Sequence, residues 1–336
     1  MKTDDRPLIA ITMGDACGIG PEILVSAWAG EVLHSICRPV AIGCPLILNR
    51  IIRSTDHPLS VQRIESVAER SDDPQTISVI AATEQELMHL EPGKISGAAG
   101  QASYDFLIRG IELAMSKQVD AIVTLPIHKG ALAAAGIPYP GHTEILAEKT
   151  NASDHAMMLY RLGLGVAHVT LHCSIKEVPG LLTKERVVGK IRLLDEMMRR
   201  LSDDAPRLAV CALNPHASDG GLFGEEESQI IEPAVAQARS EGFHVVGPIS
   251  ADTLFYRAKK GEFNGVAAMY HDQGHIALKL LGWREAVNIT LGLPIIRTSV
   301  AHGTAFDIVG KGQADATSLL EATRVAVRLC RSALKA

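Results

Sequence analysis

The chain is poor in the features that mark nucleic-acid binding, membrane insertion or secretion. Aromatic residues make up 4% of its 336 positions, which leaves few rings for bases to stack on, and the net charge of −5 includes no basic tract. Nucleic acid is therefore not an expected partner. No apolar run nears the ~20 residues a membrane-spanning helix needs, so a membrane is not expected either. The six cysteines (Cys17, Cys37, Cys44, Cys173, Cys211, Cys330) are scattered without a CxxC pair, which excludes a cysteine zinc knot and a disulfide framework and predicts reduced thiols. The opening MKTDDRPLIAITMGD sets acidic residues ahead of a short strand-like run, where a secretion signal needs a basic region and a longer apolar one. A cytoplasmic location is the expectation.

What remains is an ordinary globular balance, 47% hydrophobic and 21% charged. Single cores rarely grow past about 250–300 residues, so a chain of 336 predicts two domains. The apolar runs PLIAITM (7–13), RPVAIG (38–43), ISVIAA (77–82), VDAIVTL (119–125), VAHVTL (166–171), RLAVCAL (207–213), FNGVAAMY (263–270) and AVNITL (286–291) alternate with helix-like segments such as 183–202, 223–241 and 315–334. That alternation predicts parallel strands with crossover helices on both faces, the doubly wound α/β class. Residues 54–76 and 83–102 read as polar surface excursions, and no repeat or low-complexity linker marks a domain boundary.

Three histidines each follow one of these runs: His172 in LHCS, His216 in NPHA and His271 in YHDQGH. Ligands of open α/β sheets bind at the carboxyl ends of strands. Three imidazoles delivered there from three strands form a candidate metal site, although a single strand-end histidine is more often a hydrogen-bonded structural group. Asp272, Asp219 and the glutamates at 225–227 supply carboxylates that can orient the rings. His168 shares a face with His172 by parity but lies deeper and reads as core. His34, His57, His89, His155 and His244 read as surface.

MGDACGIGPE (13–22) places Gly14, Gly18 and Gly20 between a strand and a helix that Pro21 can open. The backbone there is suited to close approach, but Ile23 stands where the GxGxxG fingerprint needs its last glycine. In GHTEILAE (141–148), His142 or Thr143 can start a helix that carries Glu144 and Glu148 one turn apart. Its N-terminal N–H groups suit a phosphate or carboxylate, with an ordinary cap as the alternative. Lys279, Asn288 and Arg297 are further donors suited to such anions.

Taken together, MGDACGIGPE, PIHKGAL, GHTE, LNPHA, GPISADTLF, YHDQG, VNITLGLPIIRTS and HGTAFDIVGKG run in order over nearly the whole chain. They closely resemble the 4-hydroxythreonine-4-phosphate dehydrogenase family, including its branch acting on D-threonate or D-erythronate 4-phosphate. GIGPE and HGTAFDIVGKG are also similar to motifs of isocitrate and isopropylmalate dehydrogenases, where the second loop wraps the adenosine end of NAD. The resemblance implies two doubly wound α/β/α domains with a cleft between them, one from 1–130 plus about 295–336, the other about 131–294. It implies His172, His216 and His271 as ligands of a divalent metal (Zn, Co, Mn or Mg). It further implies His142, Thr143, Lys279, Asn288 and Arg297 as substrate contacts, and Gly18, Gly20, His302, Gly303, Ala305 and Asp307 on the side of the cofactor, NAD or NADP. A homodimer with shared sites is implied as well.

The reaction so implied is oxidation of a hydroxyl β to a carboxylate, followed by loss of CO₂ from the keto acid. 4-Hydroxy-L-threonine 4-phosphate would give 3-amino-2-oxopropyl phosphate; D-threonate or D-erythronate 4-phosphate would give dihydroxyacetone phosphate. Lys279 is the candidate acid–base group, with holding substrate charge as its alternative, and Asp252 and Lys129 are secondary catalytic candidates, with a structural capping role as theirs. Two other readings stand beside this one. NPHAS and LFG also resemble relatives that oxidise a non-phosphorylated carboxylated cis-dihydrodiol, and a non-catalytic metal-binding relative would keep the same ligands. The chain departs from the family at Ala16–Cys17, where Pro–Ala is usual, at Ser218–Asp219 for Gly–Glu, and at Ala301 for aspartate. His275 replaces the leucine of the vitamin B6 enzymes, which resembles the sugar-acid branch.

Overall fold

The computed structural model describes residues 5–333. The first four positions, on which part of the reading of the N-terminus rests, lie outside the described residues. Twelve strands occur among the described residues: β1 (Leu8–Thr12), β2 (Arg38–Gly43), β3 (Ser60–Ile64), β4 (Thr76–Ala81), β5 (Ala121–Thr124), β6 (Ala156–Arg161), β7 (Leu164–His168), β8 (Leu208–Cys211), β9 (Val245–Ile249), β10 (Gly265–Ala268), β11 (Val287–Leu291) and β12 (Arg297–Val300). The chain divides into two compact units, Met1–Ala152 with Leu293–Ala336, and Ser153–Gly292.

In the first unit the strand order is β3-β4-β2-β1-β5-β12, and every pair along it is parallel. Side chains alternate across a strand, so the uninterrupted burial of β5 and β12 and near-complete burial of β1 and β2 mean that both sheet faces are covered. The helix Gly97–Met115 packs on β1, β2 and β5, and the helix Thr317–Ala333 on β12, β5 and β1. The fold is therefore doubly wound α/β. The winding turns at β1, which has β2 on one side and β5 on the other, so the loops after β1 and β5 sit at a switch point. The Asp15 N–H donates to the Pro126 carbonyl at 2.9 Å and joins those two loops.

The second unit has the order β11-β6-β7-β10-β8-β9. β7, β10, β8 and β9 are parallel, whereas β6 runs antiparallel to both β7 and β11. The expectation of parallel strands thus needs correction here. β6 and β7 form a hairpin through Leu162–Gly163, both at positive φ, the turn geometry that matches strand twist. The domain boundary near residue 131 that the resemblance implies falls instead between Ala152 and Ser153. The helices Lys129–Ala134 and His142–Lys149 belong to the first unit. A Cβ on Gly100 would stand 2.0 Å from the Ala131 carbonyl oxygen, so the backbone of this segment lies directly against the helix Gly97–Met115. No described helix is long and apolar enough to cross a membrane.

Candidate functional site

The strands preceding the three histidines, β7, β10 and β8, are immediate neighbours in the second unit. His172 lies four residues beyond β7, His216 five beyond β8, and His271 opens the helix His271–Leu281 after β10. The Asp272 carboxylate lies 2.6 Å from Nδ1 of His271. Because a carboxylate accepts, the proton sits on Nδ1 and leaves Nε2 as a lone pair, the arrangement of a metal-ligating imidazole. The His172 and His271 ring centroids are 6.2 Å apart. Two imidazoles sharing an ion at about 2.1 Å from each nitrogen place their centroids roughly 5–6.5 Å apart, so this pair fits a cation. The His216 ring lies 6.4 Å from that of Phe223. Among the described residues no three His, Cys, Asp or Glu side chains gather closely enough to hold an ion. The donor type and the His172–His271 pair fit a divalent metal.

His216 begins a run of four residues, His216 to Asp219, with φ of 53°, 53°, 67° and 45°. Left-handed backbone costs non-glycine residues about 1–2 kcal/mol each, so something must hold it. That something is Glu227, 1% exposed. Its carboxylate accepts from the backbone N–H groups of Leu213 (2.8 Å) and Asn214 (2.7 Å), from Asn214 Nδ2 (2.9 Å), and from the Ser218 hydroxyl. Burial alone would raise this carboxyl, but the bonds from Asn214 and Ser218 outweigh it and hold it below the usual carboxylate range. The sequence shows three consecutive glutamates and no sign of which one turns inward. Ser218, where the family usually has glycine, is one of the donors.

Other second-unit candidates are distributed as follows. Asn288 lies in β11 with its Oδ1 buried and lacking a hydrogen-bond partner. Lys279 lies in the His271–Leu281 helix with Nζ 4.6 Å from the Trp283 ring centroid; burial lowers its ammonium, partly opposed by Asp272. Asp252 is exposed in the first turn of the helix Ala251–Lys259, where it accepts from Ser250 Oγ at 2.7 Å and from the Thr253 N–H at 2.8 Å. Those bonds, and more weakly His216, lower its carboxyl. This is the capping alternative for Asp252, set beside His216. His168 is buried as expected, but it is hydrogen-bonded to His275 at 3.1 Å, a partnership the sequence did not suggest.

In the first unit, Arg297 is the first residue of β12, 2% exposed, with its guanidinium donating to Thr124 Oγ1 at 2.7 and 3.2 Å. Burial pushes it down to about 9, so a bound anion would favour its charged form. His142 and Thr143 open the helix His142–Lys149, and Thr143 is buried. His142 Nε2 is buried without a hydrogen-bond partner, and burial together with Arg297 holds the ring far below the ordinary histidine range. It is therefore neutral. Lys129 is exposed at the start of its helix.

The glycine loop departs from what its sequence suggests. A Cβ on Gly14 would lie 2.4 Å from the Pro126 oxygen, on Gly20 2.4 Å from the Met13 oxygen, and on Gly18 3.0 Å from Thr304. The close approach is to the protein's own backbone. The Ile19 N–H donates to the Thr304 carbonyl (3.0 Å), and Glu22 accepts from the Gly310 N–H (2.8 Å), so this loop braces the 302–312 segment. In that segment Gly303 is exposed with open space where a Cβ would point, His302 Nδ1 lies 2.9 Å from the Gly303 carbonyl, Ala305 is left-handed and Asp307 is exposed. Of the cofactor-side candidates, Gly303 has open space beside it. Gly18 and Gly20 shape the loop behind it.

Comparison with known proteins gives a consistent family. The sequence profile described as "Pyridoxal phosphate biosynthetic protein PdxA" matches residues 35–326. The D-threonate 4-phosphate dehydrogenase of Cupriavidus necator is 45% identical over 334 residues, covering 97% of this chain and 98% of its own. The 4-hydroxythreonine-4-phosphate dehydrogenase of Trichlorobacter lovleyi is 43% identical over 328 residues, covering 96% and 98%. The crystal structure of a 4-hydroxythreonine-4-phosphate dehydrogenase from Klebsiella pneumoniae superposes with a TM-score of 0.86 at 42% identity, covering 96% of this chain and 99% of that one.

Proposed function

Since the chain belongs to the family of the pyridoxal phosphate biosynthetic protein PdxA and is a dehydrogenase of that family, we propose that it oxidises and decarboxylates a four-carbon 4-phospho-hydroxy acid with NAD and a divalent cation. The substrate is either 4-hydroxy-L-threonine 4-phosphate or D-threonate or D-erythronate 4-phosphate. One observation carries this reading. His142 Nε2 and Asn288 Oδ1, two of the family's substrate positions, are buried polar atoms without a protein partner. Buried polar groups are nearly always hydrogen-bonded, so each atom calls for a ligand group: a hydroxyl or ammonium donor for Asn288 Oδ1, and a hydroxyl or anionic oxygen for His142 Nε2. Arg297, desolvated and held by Thr124, is the cation suited to the doubly charged phosphate.

When bound, NAD would supply a hydride acceptor and a divalent cation held by His172, His216 and His271 would supply Lewis acidity. The chain's own groups do the rest. His172, His216 and His271 are the cation's ligands, with Asp272 fixing the His271 tautomer. Lys279, whose burial eases loss of its proton, takes the proton of the reacting hydroxyl. It later returns one to the carbon that CO₂ leaves, so the proton balance closes on one residue. Neutral His142 and buried Thr143 orient the substrate as neutral hydrogen-bonding groups, and Arg297 holds its distal anion.

A homodimer completes this reading. Ile276 (57% exposed) and Leu280 (82%) lie one turn apart on the helix that carries His271 and Lys279, and Trp283 (58%) follows just past its end. We assign this face to a second copy of the chain. The substrate is settled by NADH formation from each of the three phosphorylated acids and from a carboxylated cis-dihydrodiol. Turnover of a phosphorylated acid supports the reading, and turnover of the diol alone would replace it.

A further inference from the structure

The family's ligand set leaves two buried histidines without a role. His275 lies one turn after His271 on the same helix face, and the two rings stack at 3.7 Å between centroids with 11° between planes. Nδ1 of His275 lies 3.1 Å from His168 Nε2 and 3.2 Å from the His271 carbonyl oxygen. Nδ1 of His168 lies 3.3 Å from the Met157 carbonyl oxygen in β6. Carbonyl oxygens only accept, so each Nδ1 carries the proton: His168 donates to Met157, and His275 donates to His168 and to the backbone of His271. The chain of bonds has one consistent direction. It leaves His275 with no N–H to spare for a substrate. Gly274 completes the arrangement, because a Cβ there would stand 2.4 Å from His168 Nε2, so the helix can rest on this ring only with glycine at that position.

We propose that His275, anchored through His168 to β6, is a positioning residue whose ring fixes the plane of His271 for the cation. This rests on the reading of His271 as a metal ligand. The His271 ring is then constrained twice, by Asp272 at Nδ1 and by the stacked ring on its face.

The test is Co(II) binding to the purified full-length protein, followed by visible absorption and by competition with a chelator, with NADH formation measured alongside. Removing a group that orients a ligating histidine typically weakens metal binding about 10–100-fold. His275→Ala is expected to do so, with the loss of turnover recovered by excess Co(II), while His275→Phe, which keeps a flat ring, stays within about threefold of the natural protein. Wild-type Co(II) affinity in His275→Ala would overturn the proposal, as would a His275→Phe that binds as weakly as His275→Ala. His271→Ala separates the two levels. If it binds Co(II) as the natural protein does, the ligand reading fails and this inference with it; if it loses binding while His275→Ala does not, the inference fails alone.

Discussion

Replacing Glu227 with alanine removes the brace under the His216 turn, and the structure allows the effect to be worked out. The carboxylate accepts four hydrogen bonds, from Leu213, from Asn214 twice and from Ser218. Bonds to a charged group contribute about 1.5–3 kcal/mol each, about 6–12 kcal/mol for the set. The four left-handed residues His216 to Asp219 cost about 1–2 kcal/mol each, about 4–8 kcal/mol together. With the brace gone, the turn relaxes and most of that strain is released. The net loss of stability should then be only about 2–4 kcal/mol by denaturant titration, well short of the summed bonds. Function should suffer more than stability, because His216 leaves its place: turnover should fall by two orders of magnitude or more, with Co(II) affinity reduced. Glu227→Gln, which keeps one acceptor oxygen, should lie between the two. A Glu227→Ala protein with unchanged turnover, or one that loses the full bond sum, would refute the reasoning.

Three further outcomes follow from the same geometry. His168 is held at about 4 and His275 also well below the ordinary value of about 6.5, burial being the main cause in both. Their stabilising contribution is complete above about pH 6.5 and is lost as pH falls toward 4, by up to about 1.4 kcal/mol per unit for each ring; thermal melting should show this, and His275→Leu should flatten it. Arg297→Ala should raise the KM for a phosphorylated substrate about 10–100-fold, the worth of one or two charge-assisted bonds, with a smaller change in kcat; an unchanged KM would favour a substrate without phosphate. Gly20→Ala forces a Cβ to 2.4 Å from the Met13 oxygen, so a loss of about 1–3 kcal/mol with weaker NAD binding is expected, and a neutral result would show that the loop has room to move.

The strand-end histidines stood out in the sequence because each follows a mostly apolar run, and the strands concerned, β7, β10 and β8, are neighbours in the sheet. All eight apolar runs correspond to strands. β3, β6, β9 and β12 were not legible for separate reasons. β3, an edge strand, is mostly exposed and reads SVQRI, without the apolar run of a buried parallel strand. β6 turns into β7 through Leu162–Gly163, which lacks the Asn or Asp that usually signals such a turn. β9 contains Gly247–Pro248 and β12 reads RTSV, with its arginine buried. Among the candidate site residues, residue types and spacing drew attention to His271, Lys279, Asn288 and Arg297 as candidates. What they did not carry was contact between distant segments: Glu227 to Ser218, His275 to His168, and Gly18 to Thr304.

The central claim is a metal-dependent oxidation on which His271 and its neighbours act. Its most direct test is NADH formation from D-threonate 4-phosphate or 4-hydroxythreonine 4-phosphate by the natural protein and by His271→Ala, before and after treatment with a chelator and again after adding a divalent cation. The account predicts turnover that the chelator abolishes and the cation restores in the natural protein, with none in His271→Ala under any condition. Turnover that survives both the chelator and the substitution would contradict it.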